Sequence, residues 1–285
     1  MTLMHLRHLL VAADESAEGR TAIRAALDLA NRARAAVTVL TVVEGSRGTD
    51  DAPAHLEELR ALVRNASGAH KTPLANMAVA FGLPGIEIVR FAEENEVDLV
   101  VAGRKHRSDV QRLMIGDTAD SVARRSSVPC LFVPTGDPRL DHILIALNGG
   151  DRGLAILGTA LEFARAAGGK AHVVSVEPAY SNEVGVTPLI TGRSERLLQA
   201  IEDARRSPAG GGAEWEGGEA DHSGPFLVVH RGDVVEAIVE EARRSAADIL
   251  VIGYRRGGPA GAIEAGSIAR RLMHVAPCAV LTVPL

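Results

Sequence analysis

Short apolar runs alternate along the chain with longer segments whose apolar residues return every three or four positions, and the whole alternation occurs twice. Runs near residues 8–13, 36–43, 74–80, 99–102 and 130–133 have the length and the Val, Leu and Ala content of buried strands. Between the first two, residues 18–34 carry Ala22, Ile23, Ala26, Leu27, Leu29 and Ala30 at the spacing of one helical face. Residues 52–69, 84–94 and 116–125 fill the other gaps as helices. Pro84 suits a first helical turn, where the missing N–H would have had no helical acceptor anyway. The rest of the chain repeats the order, with strands predicted near 142–147, 171–176, 226–230, 249–252 and 279–283. Five strands alternating with four helices predict an α/β fold, a doubly wound parallel sheet covered on both faces, once per half.

The repeat can be followed residue by residue. Shifted by 150, Val97-Asp98-Leu99-Val100-Val101-Ala102-Gly103 falls on Ala247-Asp248-Ile249-Leu250-Val251-Ile252-Gly253, and Gly82, Gly116 and Val133-Pro134 meet Gly232, Gly266 and Val283-Pro284. The starts align at a shift of 134, which places His8-Leu9-Leu10-Val11-Ala12 on His142-Ile143-Leu144-Ile145-Ala146 and Gly19 on Gly153. The growth of the shift from 134 to 150 means extra residues inside the second copy. The Gly-rich segment 208–224, which holds the only tryptophan, Trp215, is their natural host and reads as a loop. A boundary near Thr135-Gly136-Asp137-Pro138 gives one domain over residues 1–136 and a second over 137–285.

Composition narrows the class. Hydrophobic residues at 46 % and charged residues at 24 % belong to a folded chain, and aromatics at 3 % leave the cores to Ala, Val, Leu and Ile. A net charge of −5, with arginine pairs such as Arg124-Arg125, Arg243-Arg244 and Arg270-Arg271 offset by nearby acids, argues against a nucleic-acid surface and reads as solvated helix faces. No apolar stretch reaches membrane-spanning length, and the first apolar run is too short for a secretion signal, so a cytoplasmic protein without membrane contact is expected. Cys130 and Cys278 sit at matching positions beside the last strands; two cysteines are too few for a disulfide framework or a zinc site, which predicts buried free thiols.

The polar, glycine-bearing strand ends carry the candidate chemistry. Asp14-Glu15-Ser16 follows the first strand and Gly103-Arg104-Lys105-His106 the fourth. In the second copy these become Asn148-Gly149-Gly150-Asp151 and Gly253-Tyr254-Arg255-Arg256-Gly257-Gly258. Each fourth-strand loop ends at a glycine that opens a helix, Gly116-Asp117 and Gly266-Ser267. Backbone N–H groups and the helix dipole at such a place favour an anion such as a phosphate. No serine lies in a nucleophile elbow and no nucleophile–base pair stands out, so nothing in the sequence supports catalysis.

These residues resemble the universal stress protein family, whose ATP-binding members carry a Gly, two residues, a second Gly, nine residues, then Gly-Ser or Gly-Thr after strand four, and an Asp at the end of strand one. The resemblance runs over nearly the whole chain, twice. The stretch from Gly266-Ser267-Ile268-Ala269-Arg270 to His274-Val275-Ala276-Pro277-Cys278 is similar to the family's closing helix and turn at almost every position. It implies a tandem stress-response regulator with strand order 3-2-1-4-5 in each half and ATP with Mg²⁺ as ligand, hydrolysed slowly at most.

Both copies depart from the family pattern. The first keeps Asp14, Gly103 and Gly116, but has His106 for the second Gly and Asp117 for the Ser. The second keeps Gly253, Gly266 and Ser267, but has Arg256 for the second Gly and Asn148 for the Asp. A carboxylate at Asp117 would repel a phosphate and satisfy the helix N–H groups itself. The second copy is therefore the expected nucleotide site, with Gly253, Gly266 and Ser267 on the phosphates, Arg255 or Arg256 as further phosphate partners, and adenine near Ser175-Val176. The alternative from another class is an interaction or scaffold protein with an unknown protein partner and both pockets out of use. Single-domain relatives dimerise through their last strands. The resemblance thus implies that residues 130–133 pair with 279–283 as a pseudo-dimer within one chain, which could still form a homodimer.

Overall fold

A computed structural model describes residues 6–45, 51–67, 74–105, 118–177, 187–206, 227–255 and 267–285. The first half contains β1 (His8–Ala12), α1 (Ala17–Ala33), β2 (Ala36–Val43), α2 (Ala52–Ser67), β3 (Leu74–Phe81), α3 (Pro84–Glu94), β4 (Leu99–Gly103), α4 (Thr118–Arg125) and β5 (Cys130–Val133). The second repeats them as β6 (His142–Ala146), α5 (Asp151–Ala167), β7 (Lys170–Glu177), α6 (Thr187–Arg206), β8 (Leu227–Arg231), α7 (Val234–Arg244), β9 (Ile249–Tyr254), α8 (Ser267–Val275) and β10 (Ala279–Pro284). Every strand expected from the apolar runs is present, with ends moved by a residue or two. The expected loop over 208–224 lies outside the described residues.

Local chemistry explains the helix ends. Ser16 caps α1 by accepting the Gly19 N–H at 3.0 Å, and the helix stops at Arg34, which turns into the left-handed region at φ 56°. Pro84 opens α3 as expected, and α5 ends on Gly168 at φ 63°. The buried face of α1 is largely alanine, Ala22, Ala25, Ala26 and Ala30, with Ile23 and Leu29 between them, so this helix can lie close to the sheet.

All ten strands form one sheet in the order β3-β2-β1-β4-β5-β10-β9-β6-β7-β8. Each half thus has the order 3-2-1-4-5, and its strands run parallel. The junction is the antiparallel pair β5–β10, with Phe132 opposite Val280, Leu131 opposite Leu281 and Cys130 opposite Thr282. Leu131 and Leu281 are counterparts at the 150-residue shift, so a pseudo-twofold axis passes between them. The pairing expected from the last strands is the one observed.

Two apolar layers run across both halves. One packs α1, α2, α5 and α6 over Leu9, Val11, Val37, Ile143 and Val173; the other packs α3, α4, α7 and α8 over Leu10, Val100, Phe132, Leu144 and Leu250. Each fully buried Leu or Val of this kind contributes about 1.5–3 kcal/mol. Cys130 and Cys278 lie in the second layer as free thiols, as expected, and burial pushes both up to about 12.

Polar side chains reinforce the junction from matching positions. Arg104, 3 % exposed, donates to the carbonyls of Met273 (2.6 Å), Ala276 (2.9 Å) and Cys278 (2.8 Å), which closes the C-terminal end of α8. Its counterpart Tyr254 donates instead to Asp120 of α4 at 2.7 Å, and Arg124 and Arg270 flank that carboxylate at 3.4 and 3.7 Å. Burial, then the neighbouring Asp120, holds the Tyr254 hydroxyl above its ordinary range. Among the described residues no helix is long and apolar enough to cross a membrane.

Candidate functional site

β1 and β4 are neighbours in the first half, as β6 and β9 are in the second, and in each pair the chain leaves toward opposite faces of the sheet. α1 and α5 go to one face, α4 and α8 to the other. Such a reversal opens a crevice at the carboxyl ends of the strands. A cavity lies at each of these points, of about 330 Å³ in the first half and about 440 Å³ in the second, both sizes typical of small-molecule sites.

The two linings correspond position by position. Ala12, Val42, Ile88, Gly103 and Ala119 in the first cavity become Ala146, Val176, Ile238, Gly253 and Ala269 in the second. The apolar floor is shared and the charges are not. The first cavity is lined by Asp14, Glu18, Glu44 and Lys105; the second by Asn148, Arg152 and Arg255. Asn148 answers Asp14, Arg152 answers Glu18, and Arg255 answers Lys105.

The glycines that frame each crevice have a packing reason. A Cβ on Gly19 would stand 2.3 Å from the Asp14 carbonyl, and one on Gly153 would stand 1.9 Å from that of Asn148. The first turn of each helix therefore packs directly on the strand end. At Gly103 a Cβ would meet Glu18 at 2.6 Å, and at Gly253 it would meet Ile156 at 2.3 Å. These glycines, read from sequence as phosphate holders, also let the helix approach the end of the fourth strand.

Asp14 is drawn into its own helix start. Its Oδ1 accepts the Ser16 N–H at 3.1 Å and the Ser16 hydroxyl, and Ser16 in turn caps α1. In the second half Gly150 stands at the cap of α5 without a side-chain acceptor. The first-turn N–H groups of α5 thus keep their capacity for another anion.

Of the residues expected from sequence, Asn148, Val176, Gly253 and Arg255 come together on the second cavity, and Asp14 and Gly103 on the first. Ser267 opens α8, whose Ile268 and Ala269 line the second cavity. Arg256, Gly266 and Gly116, with His106 and Asp117, lie outside the described residues. Sequence reasoning missed Arg152. The alignment at a shift of 134 carried the signal, since it places this arginine on Glu18, next to the paired Gly19 and Gly153.

Mg²⁺ is held through one or two carboxylates together with phosphate oxygens. The described lining of the second cavity contains no carboxylate, and among the described residues no group of three or more His, Cys, Asp or Glu could hold a metal ion. Asp151, beside Arg152 in sequence, points elsewhere: its side chain is 89 % exposed and pairs with Arg196 at 2.6 Å. The described donor set of this cavity does not fit Mg²⁺.

Comparisons of the sequence and of the fold with known proteins lead to one family. The profile of the universal stress protein family matches residues 5–134 and again 139–284. Universal stress protein MJ0531 of Methanocaldococcus jannaschii is 36 % identical over 52 residues, 18 % of this chain and 31 % of that protein. The chain thus spans about a third of the length of the curated relatives it matches. A universal stress protein from Archaeoglobus fulgidus superposes with a TM-score of 0.68 over 97 % of this chain and 98 % of its own, at 17 % identity, a likeness of fold alone. A universal stress protein solved in complex with cAMP covers 46 % of this chain at 24 % identity and a TM-score of 0.39, an overlap too partial to bear on the ligand here. Two matches of the family profile, one in each half of a sheet with order 3-2-1-4-5 on both sides of its junction, mean that this chain belongs to the universal stress protein family as a tandem member.

Proposed function

We propose that the chain is a cytoplasmic, nucleotide-responsive regulator whose second half binds ATP in the cavity between β6 and β9. The observation that carries this reading is the lining of that cavity: Arg152 and Arg255 at its mouth, an apolar floor ending at Val176, and no carboxylate among its described residues. Arginine's planar fork of N–H donors matches phosphate oxygens, and the apolar floor suits a base. No residue is assigned to turnover.

Titration calorimetry of nucleotide-stripped protein with ATP tests it, with about one site per chain expected. Val176→Trp should fill the base end of the cavity and abolish the heat, while the counterpart substitution Val42→Trp in the first half should leave it unchanged. Equal binding by both variants would remove the assignment. The acidic lining of the first cavity favours the second reading for that half, in which its pocket holds no nucleotide and the domain serves as interaction surface and structural partner.

A further inference from the structure

We propose that the second cavity takes its nucleotide as the metal-free polyanion, with Arg152 supplying the positive charge that Mg²⁺ would otherwise bring. The inference rests on the nucleotide reading of the same cavity. Going from the first half to the second, the end of the first strand and the first turn of the next helix change from Asp14 and Glu18 to Asn148 and Arg152. Two negative charges become one positive charge at corresponding points of one frame. A metal held between phosphates and protein needs the carboxylates that this exchange removes.

The exchange also supplies a substitute. Arg152 lies in the first turn of α5 and Arg255 directly after β9, so the two guanidinium groups come from the two sides of the crevice. Among the described residues neither is paired with a carboxylate, and both are exposed to an incoming ligand. Guanidinium groups bind phosphate through paired charged hydrogen bonds. The side-chain-free cap at Gly150 adds first-turn N–H groups on the Arg152 side. A site built this way gains with the charge of its ligand, and Mg²⁺ on the phosphates would cancel part of that charge.

The test is a calorimetric titration with ATP in EDTA and again in excess Mg²⁺, on the full chain and on Arg152→Glu and Arg152→Lys. Affinity in EDTA should equal or exceed that in Mg²⁺. Arg152→Glu, which restores the first half's charge, should weaken binding in EDTA by about tenfold or more, and Arg152→Lys should fall between. Binding that depends on Mg²⁺ would overturn the inference and leave the nucleotide reading standing. Unchanged affinity in Arg152→Glu would overturn the role of Arg152. Absence of heat in both buffers, from protein that is folded by circular dichroism, would end the nucleotide reading and this inference with it. The comparison of buffers uses the unmodified chain, so it decides the matter even if a variant fails to fold.

Discussion

At the carboxyl end of β1 the first half places Asp14 and, one turn into α1, Glu18; at the same points the second half places Asn148 and Arg152. Around them the frame is nearly constant, with the same glycines against the helix start and the same small or branched floor. The difference teaches that the two copies share what the fold needs and differ in the charges that face the open crevice. Backbone contact at 1.9–2.3 Å from a hypothetical Cβ leaves Gly19 and Gly153 no substitute, whereas a side chain facing an open crevice can reverse its charge without disturbing the core.

The same contrast extends beyond the cavities. Arg104 and Tyr254 occupy one position in the repeat and fasten the junction by different chemistry, a cation on three carbonyls and a hydroxyl on a carboxylate. Behind β7 and β8 the second half buries Glu241 completely. Arg244 donates to it at 2.6 and 3.0 Å, His230 lies at 2.9 Å and His172 at 3.8 Å. The first half has Phe91, Glu94, Ala80 and Thr38 at those places. Burial pushes the Glu241 carboxyl up, and the hydrogen bonds from Arg244 and His230 outweigh it, so the group sits below the ordinary carboxylate range.

The comparison breaks most visibly at the junction. Arg104→Ala should destabilise the chain by about 4 kcal/mol, because it removes three charged hydrogen bonds and strands their carbonyls. Urea denaturation measures it, and a loss under about 1 kcal/mol would mean that strand pairing alone holds the halves together. Next comes the buried carboxylate. Glu241→Gln should cost about 2 kcal/mol at neutral pH. A carboxyl with a lowered folded value contributes in full above its unfolded value of about 4.3 and loses that contribution as pH falls through the folded value. The gap between wild type and Glu241→Gln should therefore close on acidification below about pH 4, as read from urea midpoints across pH. A gap that stays constant would show that His230 and Arg244 do not act through the charge of Glu241.

The smallest effect sharpens the contrast between the cavities. Asp14→Asn with Glu18→Arg gives the first cavity the second one's residues at these two points, with Glu44 and Lys105 unchanged, and should raise its affinity for ATP by about tenfold, equivalent to about 1.4 kcal/mol. A second binding event in calorimetry would mark success. Its absence would show that these two side chains are not enough to distinguish the cavities.

Much of this was legible before any coordinates. The strands, the duplication, the buried thiols and the pairing of the last strands follow from runs of Val, Leu and Ala at matching registers and from the resemblance those residues carry. At the site, Asn148, Gly253 and Arg255 were identifiable because they stand at polar, glycine-bearing strand ends, and Val176 only through the family resemblance. Arg152 was missed, since the repeat alignment sets it on Glu18 but an arginine in a first helical turn looks like any solvated charge, and only the crevice shows that both positions face a cavity. Arg104 escaped for the same reason in reverse: a loop arginine gives no sign in sequence that it will be 3 % exposed beneath a neighbouring helix end.

The sequence by itself determined that this protein is two copies of one α/β unit, because hydrophobic periodicity is a local property that each segment carries with it. Only the tertiary structure decided the register of the junction, with Leu131 opposite Leu281 on its axis, and that the two crevices carry opposite charge. Those facts depend on residues more than a hundred positions apart coming to the same place, and the electrostatics of a cavity belong to the set of side chains that meet there rather than to any one of them.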